Sequence, residues 1–203
     1  MSHESLSLRS AQPKTDEGFA FAGYLDTAAG GRFPLMLGGA SQRVLTSAFL
    51  STGHDLSYEH VTFVELDGIA VGMSSDYSAG QHRNSSDGPL VRAAGWRVVR
   101  MAAVSTIAAR LFRFIDTVPE GDYYLQAIAV VPDARGRGIG TMLLGGVEDR
   151  ARAAGSERLV LDVAVENKGA RLLYERLGLS IEATSPRAYL GPGSRVYRMA
   201  KPL

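Results

Sequence analysis

A glycine-rich turn offers the clearest chemistry in the sequence. Residues 135–140 read RGRGIG and stand between an apolar run, DYYLQAIAVV at 122–131, and a helical pattern. The first turn of a helix has backbone N–H groups without partners and the positive end of the helix dipole, so a glycine-rich turn there can bind phosphate. Arg135 and Arg137 stay charged at neutral pH and add positive charge. The spacing therefore predicts an anion site at this turn.

Two common nucleotide-binding motifs do not fit the turn. The pattern GxxxxGK[ST] is absent, and the glycines at 136, 138 and 140 depart from GxGxxG. A dinucleotide-binding fold would also require an N-terminal βαβ unit, which the sequence lacks. The alternative to anion binding is a turn whose glycines only let a strand and a helix pack closely.

Strands and helices alternate in the second half of the chain. The patterns predict a strand at 122–131, a helix at 141–155, a strand at 158–165, a helix at 167–178 and strands at 179–183 and about 196–199. This alternation predicts that the strands at 122–131 and 158–165 pair in parallel.

The first half of the chain predicts antiparallel strands and helices. Its elements are a strand at 5–9, a helix from Thr15, a helix at 42–50, a hairpin of 60–66 and 69–75 around Asp67-Gly68, a loop at 76–95 and a helix from Trp96 to Phe114. An antiparallel front with a parallel middle makes a mixed α/β sheet with helices on both faces.

Two stretches together resemble the GNAT superfamily of acyl-CoA-dependent N-acetyltransferases: IAVVPDARGRGIG at 128–140 and ENKGARLLYERLGL at 166–179. The resemblance implies a GNAT fold, a central, mostly antiparallel twisted sheet in which one parallel pair of strands splays apart. It implies a single domain over 1–203, with a cofactor-binding core at 122–183, acceptor-side elements at about 15–60 and an insert at 76–118.

The resemblance also implies the residues that bind acetyl-CoA, without a metal ion. The backbone at 135–141 would bind the pyrophosphate, and the backbone at 128–130 would pair with the pantetheine arm like an added strand. The implied cofactor-binding residues are Ile128, Ala129, Val130, Arg135, Gly136, Arg137, Gly138, Ile139, Gly140, Thr141, Asn167 and Ala170.

Tyr174 matches the family tyrosine that protonates the departing thiolate. It follows Asn167 by seven residues, about 700° of helical rotation, so both lie on one helix face roughly 10 Å apart. Leu173 and Leu177 mark a different stripe for the core, which would free Tyr174 for the site. The alternative is a tyrosine at the edge of the core.

The catalytic base is less evident. Many relatives carry an acidic residue on the central strand, where this chain has Tyr124 and Gln126. Asp162 stands at the spacing from Asn167 and Tyr174 at which ribosomal-protein N-acetyltransferases place an acidic base. We therefore predict that Asp162 removes the amine proton through water. The alternatives are that Asp162 faces solvent or pairs with an arginine, and that Glu65 is the base.

The predicted reaction moves an acetyl group from acetyl-CoA to a primary amine by direct attack in a ternary complex. The acceptor would be a small molecule or a peptide or protein N-terminus, bound by the first two helices and the 76–95 loop. Asp76, Asp87, Asp116, Glu120 and Asp122 are candidates for an acidic rim around it. The alternative function is a non-catalytic acyl-CoA sensor or regulatory module; nucleotide binding at the same turn fits less well.

Composition excludes several other classes of protein. The 203 residues carry a net charge of +1 and contain no cysteine, which excludes disulfides, thiolate metal sites and a cysteine nucleophile. The four histidines form no HxxxH pair, and the basic residues are scattered, so we predict neither a zinc site nor a nucleic-acid partner. No apolar run is long enough to span a bilayer, so we expect a cytoplasmic protein without a membrane partner, with a homodimer as one possible assembly.

Overall fold

The computed structural model describes residues 5–188 and 195–203, whose strands form one seven-stranded sheet in the order β1-β2-β3-β4-β5-β7-β6. Neighbouring strands are antiparallel except for the parallel pair β4 and β5. The strands are β1 Leu6–Ser10, β2 Val61–Leu66, β3 Ile69–Ser78, β4 Asp122–Val130, β5 Arg158–Ala164, β6 Ser180–Thr184 and β7 Val196–Pro202. The predicted mixed sheet and its parallel pair are confirmed.

Nine α-helices connect these strands within the described residues. They are α1 Thr15–Ala28, α2 Phe33–Leu37, α3 Ser41–Phe49, α4 Ala79–Arg83, α5 Gly88–Ala94, α6 Val98–Ile107, α7 Ala109–Ile115, α8 Ile139–Ala153 and α9 Lys168–Arg176. No helix in this part of the chain has both the length and the apolar character needed to cross a bilayer.

The helices cover both faces of the sheet. Phe63 and Val64 are neighbours on β2, and because successive strand residues point to opposite faces, they enter different clusters. Phe63 packs with Phe21 of α1 and Phe49 of α3. On the other face, α8 and α9 pack over β4, β5 and β7 in a cluster that includes Leu144, Val147, Leu159, Leu161, Tyr174 and Met199.

The β2–β3 hairpin forms where the sequence predicts it. Asp67 and Gly68 have φ angles of 51° and 81°, the positive values that a two-residue hairpin turn requires. The second strand continues to Ser78, three residues beyond its predicted end.

The prediction of a loop over residues 76–95 is wrong, and so is the single helix from Trp96 to Phe114. Ser78 closes a capping box with Gln81 and starts α4, and Gly95, with φ of 56°, ends α5. The following segment divides into a 3₁₀ turn, α6 and α7. Serine and glycine suggested a loop here because the same residue types occur in loops and at helix ends.

His82 on α4 connects this helix with two segments distant in the chain. Nδ1 of His82, on α4, lies 2.7 Å from Oδ2 of Asp55, and Nε2 lies 2.9 Å from the backbone carbonyl oxygen of Asp116. Both partners accept hydrogen bonds, so both ring nitrogens donate only when the imidazole is protonated. Burial by itself lowers the pKa of His82, but the hydrogen bond and negative charge of Asp55 outweigh it and raise the pKa above 6.5.

We expect this histidine to make stability depend on pH. Because the folded-state pKa of His82 exceeds the unfolded value, its contribution is complete below pH 6.5 and is lost as the pH rises through the folded-state pKa. The free energy of unfolding should fall over that range in urea titrations, and the His82→Gln variant should lose this component. Burial lowers the pKa of His60, so His60 makes the free energy of unfolding decrease as the pH falls below 6.5, which is the opposite dependence. An unchanged pH slope in the variant would remove His82 as the cause.

Candidate active site

A cleft opens where β4 and β5 separate. The two strands pair from Asp122 with Arg158 to Leu125 with Leu161, and no further. Beyond that point β4 stays paired with β3 and β5 stays paired with β7, so the two facing edges are free of each other. The resulting cleft has a volume of about 600 Å³. This is the splayed parallel pair that the sequence resemblance implies.

The glycine-rich turn forms one end of the cleft and presents free amides. Gly136 and Gly138 have φ angles of 76° and 79°, values that L side chains rarely adopt. No described residue accepts a hydrogen bond from the backbone N–H groups of Gly136, Gly138, Ile139, Gly140 or Thr141. These groups stand at the N-terminus of the 15-residue helix α8, where the dipole favours an anion.

Among the glycines of the turn at 136, 138 and 140, only Gly140 is needed for close packing between elements. A Cβ at Gly140 would lie 3.2 Å from Cδ2 of Leu173 on α9, so this glycine lets the two helices approach. A Cβ at Gly136 or Gly138 would meet nothing within 4 Å. Those two glycines are therefore needed for the backbone conformation and leave open space in front of the amides.

The structure brings nearly all of the predicted cofactor-binding residues to this cleft. Those that line it are Ile128, Ala129, Val130, Arg135, Gly136, Gly138, Ile139, Gly140, Thr141, Asn167 and Ala170. Arg137 is exposed on the turn and is not among the lining residues. Nε of Arg135 donates to the carbonyl of Val130 at 3.1 Å. Oδ1 of Asn167 accepts from the N–H of Ala170 at 3.1 Å, which caps α9.

Tyr174 lies beside the point where the strands separate. It is 5% exposed, and its ring belongs to the hydrophobic cluster that contains Leu125 and Leu161, the last pair of the β4–β5 ladder. Its hydroxyl has no hydrogen-bond partner among the described residues, and the residue lines the cleft. Burial raises the pKa of Tyr174 above its usual value of 10.0, so the phenol is protonated at neutral pH.

The prediction that a leucine stripe frees Tyr174 from the core is wrong. Tyr174 is the buried residue of α9, whereas Leu173 is half-buried and lines the cleft. The tyrosine therefore combines a place in the core with access to the cleft.

The carboxylate of Asp162 accepts hydrogen bonds from two neighbouring side chains. Nη2 of Arg198 donates to its Oδ2 at 2.7 Å, Nε of Arg198 donates to Oδ1 at 3.0 Å, and the hydroxyl of Tyr124 donates to Oδ2 at 2.9 Å. The side chains of Asp162 and Arg198 are 4% and 8% exposed. Of the alternatives open at the sequence level, pairing with an arginine is the one observed. A base role for Asp162 stays a prediction, and these contacts argue against it.

Arg198 holds Asp162 beside the cleft without lining the cleft itself, and nothing in the sequence predicts this role. It lies on β7 and also donates to the backbone carbonyls of Phe114 and Thr117 at the end of α7. Together with Asp162 and Tyr124 it connects α7, β7, β5 and β4 directly beside the strand separation. No local pattern marks it, because its partner is 36 residues away.

None of the other acidic candidates, which are Glu65, Asp76, Asp87, Asp116, Glu120 and Asp122, lines the cleft, and three of them pair with arginines away from it. Glu65, on β2, accepts from Nε of Arg9 at 2.7 Å and does not line the cleft. Asp76 pairs with Arg150, and Asp122 pairs with Arg158, each at 2.7 Å. Neither of these two aspartates lines the cleft, so they form no acidic rim there.

Gln126 of β4 lines the cleft. Its Oε1 accepts from Oγ of Ser75 at 3.0 Å, and it follows Leu125, the last residue of β4 that pairs with β5. From the opposite side, Thr27 and Ala28 at the end of α1 reach the cleft, whereas residues 76–95 do not line it.

The chain is similar to known acetyltransferases. Residues 53–179 match the family model described as "Acetyltransferase (GNAT) family". The chain is 35% identical over 75 residues to N-alpha-acetyltransferase 30 of Schizosaccharomyces pombe, covering 37% of this chain and 49% of that protein. It is 48% identical over 54 residues to an uncharacterized N-acetyltransferase of Methanocaldococcus jannaschii, covering 27% of this chain and 24% of that protein. The chain thus spans less than half the length of these relatives.

A solved structure has the same overall fold along nearly the whole chain. The N-acetyltransferase from Staphylococcus aureus Mu50 superposes with a TM-score of 0.66 at 15% identity, covering 96% of this chain and all of that chain. At this identity the likeness shows the fold alone. The family model, which covers more than half of the chain, shows more: the chain belongs to the GNAT family of acetyltransferases.

Proposed function

We propose that the chain transfers an acetyl group from acetyl-CoA to the primary amine of a small molecule or of a peptide N-terminus. One observation carries this proposal: the unpartnered amides of residues 136 and 138–141 adjoin an open strand edge that leads to Tyr174. A diphosphate at the amides and an extended arm along the edge would place a thioester near the phenol.

The residues present fit acetyl-CoA. The turn provides amides and the positive end of α8 for phosphate, and no Cβ at Gly136 or Gly138 obstructs the approach. At 128–130 β4 does not pair with β5, so this edge provides backbone groups for an added strand, of which the Val130 carbonyl already accepts from Nε of Arg135. When bound, acetyl-CoA supplies the acetyl thioester whose C–S bond breaks as the acceptor nitrogen forms an amide.

Tyr174 is the proposed general acid. Its Oη carries a proton at neutral pH, since the usual pKa of a phenol is 10.0 and burial raises the pKa of Tyr174 further. Since no described residue holds that hydroxyl in a hydrogen bond, the proton is available to a leaving thiolate in the cleft.

The acceptor nitrogen must be neutral to attack, and the cleft offers few groups to deprotonate it. Asp162 is held by Arg198 and Tyr124, and Gln126 cannot take a proton at neutral pH. We propose that the proton leaves to water in the open cleft. Deprotonation at pH 7 costs about 1 kcal/mol for an α-amine but about 4.6 kcal/mol for a lysine side chain. This difference favours an N-terminal amine or a small molecule of similarly low amine pKa.

An Asp162→Asn variant separates the two sources of deprotonation. If water takes the proton, the acidic limb of kcat/KM against pH follows the acceptor amine and stays in place in the variant. The same change leaves Arg198 buried without its carboxylate and is expected to lower the free energy of unfolding by about 3 kcal/mol. Tyr124→Phe removes only the neutral hydrogen bond to Asp162 and keeps the ion pair with Arg198, so it should lower the free energy of unfolding less. Loss of the limb in a folded Asp162→Asn protein would make Asp162 the base.

The function itself is tested by thiol release from acetyl-CoA in the presence of a panel of amines and peptides. A thiol-reactive dye detects free CoA, and the protein adds no background because it contains no cysteine. Amine-dependent release supports the transferase. Tight acetyl-CoA binding without release from any amine would support the sensor alternative, and preference for ATP over CoA would contradict both.

A further inference from the structure

The helical insert between β3 and β4 concentrates positive charge. Residues 88–115, which form α5 to α7, contain five arginines and no lysine, aspartate or glutamate. The chain as a whole has a net charge of +1, so the residues outside this segment together carry −4. None of the five arginines forms an ion pair with a described residue. The basic residues look scattered in the sequence, but the fold places these five in consecutive helices.

One apolar side of α6 faces solvent, whereas Met101, on another side of the helix, packs against the core. Val99 is 72% exposed and Ile107 is 64% exposed, and Ala102 and Ala103 between them are also exposed. At 100° per residue these four side chains fall on one side of the helix. None of the ten residues of α6 is buried. An apolar stripe on a surface helix normally faces the core, so this orientation indicates a surface that meets something other than water.

An exposed tryptophan extends this surface at the start of α6. Trp96 is 76% exposed and Val91, on α5, is 42% exposed. The guanidinium carbon of Arg97 lies 4.9 Å from the centroid of the Trp96 ring. Tryptophan and arginine together suit the boundary between hydrocarbon and charged headgroups, where the ring is partly buried and the cation stays near phosphate.

From these observations we infer that the α5–α6 surface, meaning Val91, Trp96, Val99, Ala103 and Ile107 with Arg92 and Arg97 of the same segments, docks on an anionic lipid bilayer. Apolar side chains would enter the headgroup region, and each arginine near the surface would add attraction to anionic lipid. The composition-based prediction of no membrane partner opposes this inference, and binding to vesicles decides between them. A second copy of the chain fits less well, because two such basic surfaces would repel each other. The inference does not depend on the proposed reaction.

Trp96 reports directly on docking because it is the single tryptophan of the chain. The full-length protein is mixed with vesicles of phosphatidylcholine alone or of phosphatidylcholine with phosphatidylglycerol. We expect co-sedimentation and a blue shift of the tryptophan emission with the anionic vesicles only. Both signals should weaken as salt is added, because salt screens the attraction between arginine and lipid.

Two matched aspartate substitutions test the surface. Val99→Asp should weaken partitioning about tenfold, since it removes an inserted apolar side chain and adds a repelled charge. Ile69→Asp is the control, because Ile69 is 70% exposed but lies at the β2–β3 turn. Far-ultraviolet circular dichroism verifies that both variants are folded.

Three results would overturn the inference. One is absence of binding to phosphatidylglycerol vesicles by the unaltered protein. Another is an equal loss of binding in both variants. The third is a doubled mass in light scattering that Val99→Asp abolishes while vesicles have no effect, which would make the surface a dimer interface.

Discussion

Replacing Gly138 by glutamate is expected to block acetyl-CoA binding at the glycine-rich turn and so to weaken the affinity sharply. The new side chain would start in the open space before α8, where no heavy atom lies within 4 Å of the Cβ position. Its carboxylate would compete with phosphate for the same amides and repel the cofactor's charge. We expect affinity to fall by about 10²-fold or more, the size of effect that closely opposed like charges produce. Isothermal titration calorimetry with acetyl-CoA measures this directly.

The control for this variant must also introduce backbone strain. Gly138 has φ of 79°, so any side chain there costs about 1 to 2 kcal/mol in conformation alone. Gly155, with φ of 69° and open space around its Cβ position, lies at the far end of α8. Gly155→Glu should therefore lose similar stability and keep its affinity. If Gly138→Glu binds acetyl-CoA as tightly as Gly155→Glu, the turn is not the phosphate site.

Tyr174→Phe is expected to lower kcat by about 10²-fold, the lower range for loss of a positioned proton donor. The KM for acetyl-CoA should change little, because the turn and the strand edge that bind it are untouched. The ring remains to fill the cluster with Leu125 and Leu161, and the hydroxyl that is removed has no described hydrogen-bond partner. Stability should therefore stay close to that of the unaltered protein. Steady-state kinetics with an accepted amine, together with urea unfolding, separates the two effects.

Tyr197→Phe provides the matched control for the loss of a phenol. Tyr197 packs against the same cluster from β7 but does not line the cleft. We expect its removal to leave kcat unchanged. Full turnover in Tyr174→Phe would assign Tyr174 to core packing alone, and equal losses in both variants would point to a general disturbance of the cluster.

Asp162 and Arg198 form a buried ion pair beside the cleft. The sequence favours a catalytic carboxylate at 162, whereas the structure shows a buried ion pair that also holds the end of α7. A charge that is buried with its partner is costly to leave unpaired, so the pair is a strong structural constraint. It lies directly after the last residue of β5 that pairs with β4, and we expect it to hold the strands at the start of the cleft.

The sequence by itself determined the features that depend on neighbouring residues. The Asp67-Gly68 turn, the glycines at 136 and 138 and the strand–helix–strand order around them follow from local backbone preferences and short-range periodicity. The same local information misassigned residues 76–95, because serine, aspartate and glycine occur both in loops and at helix ends. The periodicity of α9 also predicted wrongly that Tyr174 is not needed in the core, because periodicity does not say which of two adjacent helix faces packs against the sheet.

Only the tertiary structure decided the relations between distant residues. Arg198 reaches Asp162 across 36 positions and Phe114 across 84, and no spacing rule connects them. Likewise, the solvent exposure of Val99 and Ile107 on α6 is decided only when the insert packs against the rest of the fold. The physical reason is that a side chain's partners are set by how the elements pack, whereas its own sequence neighbours determine only the element in which it lies.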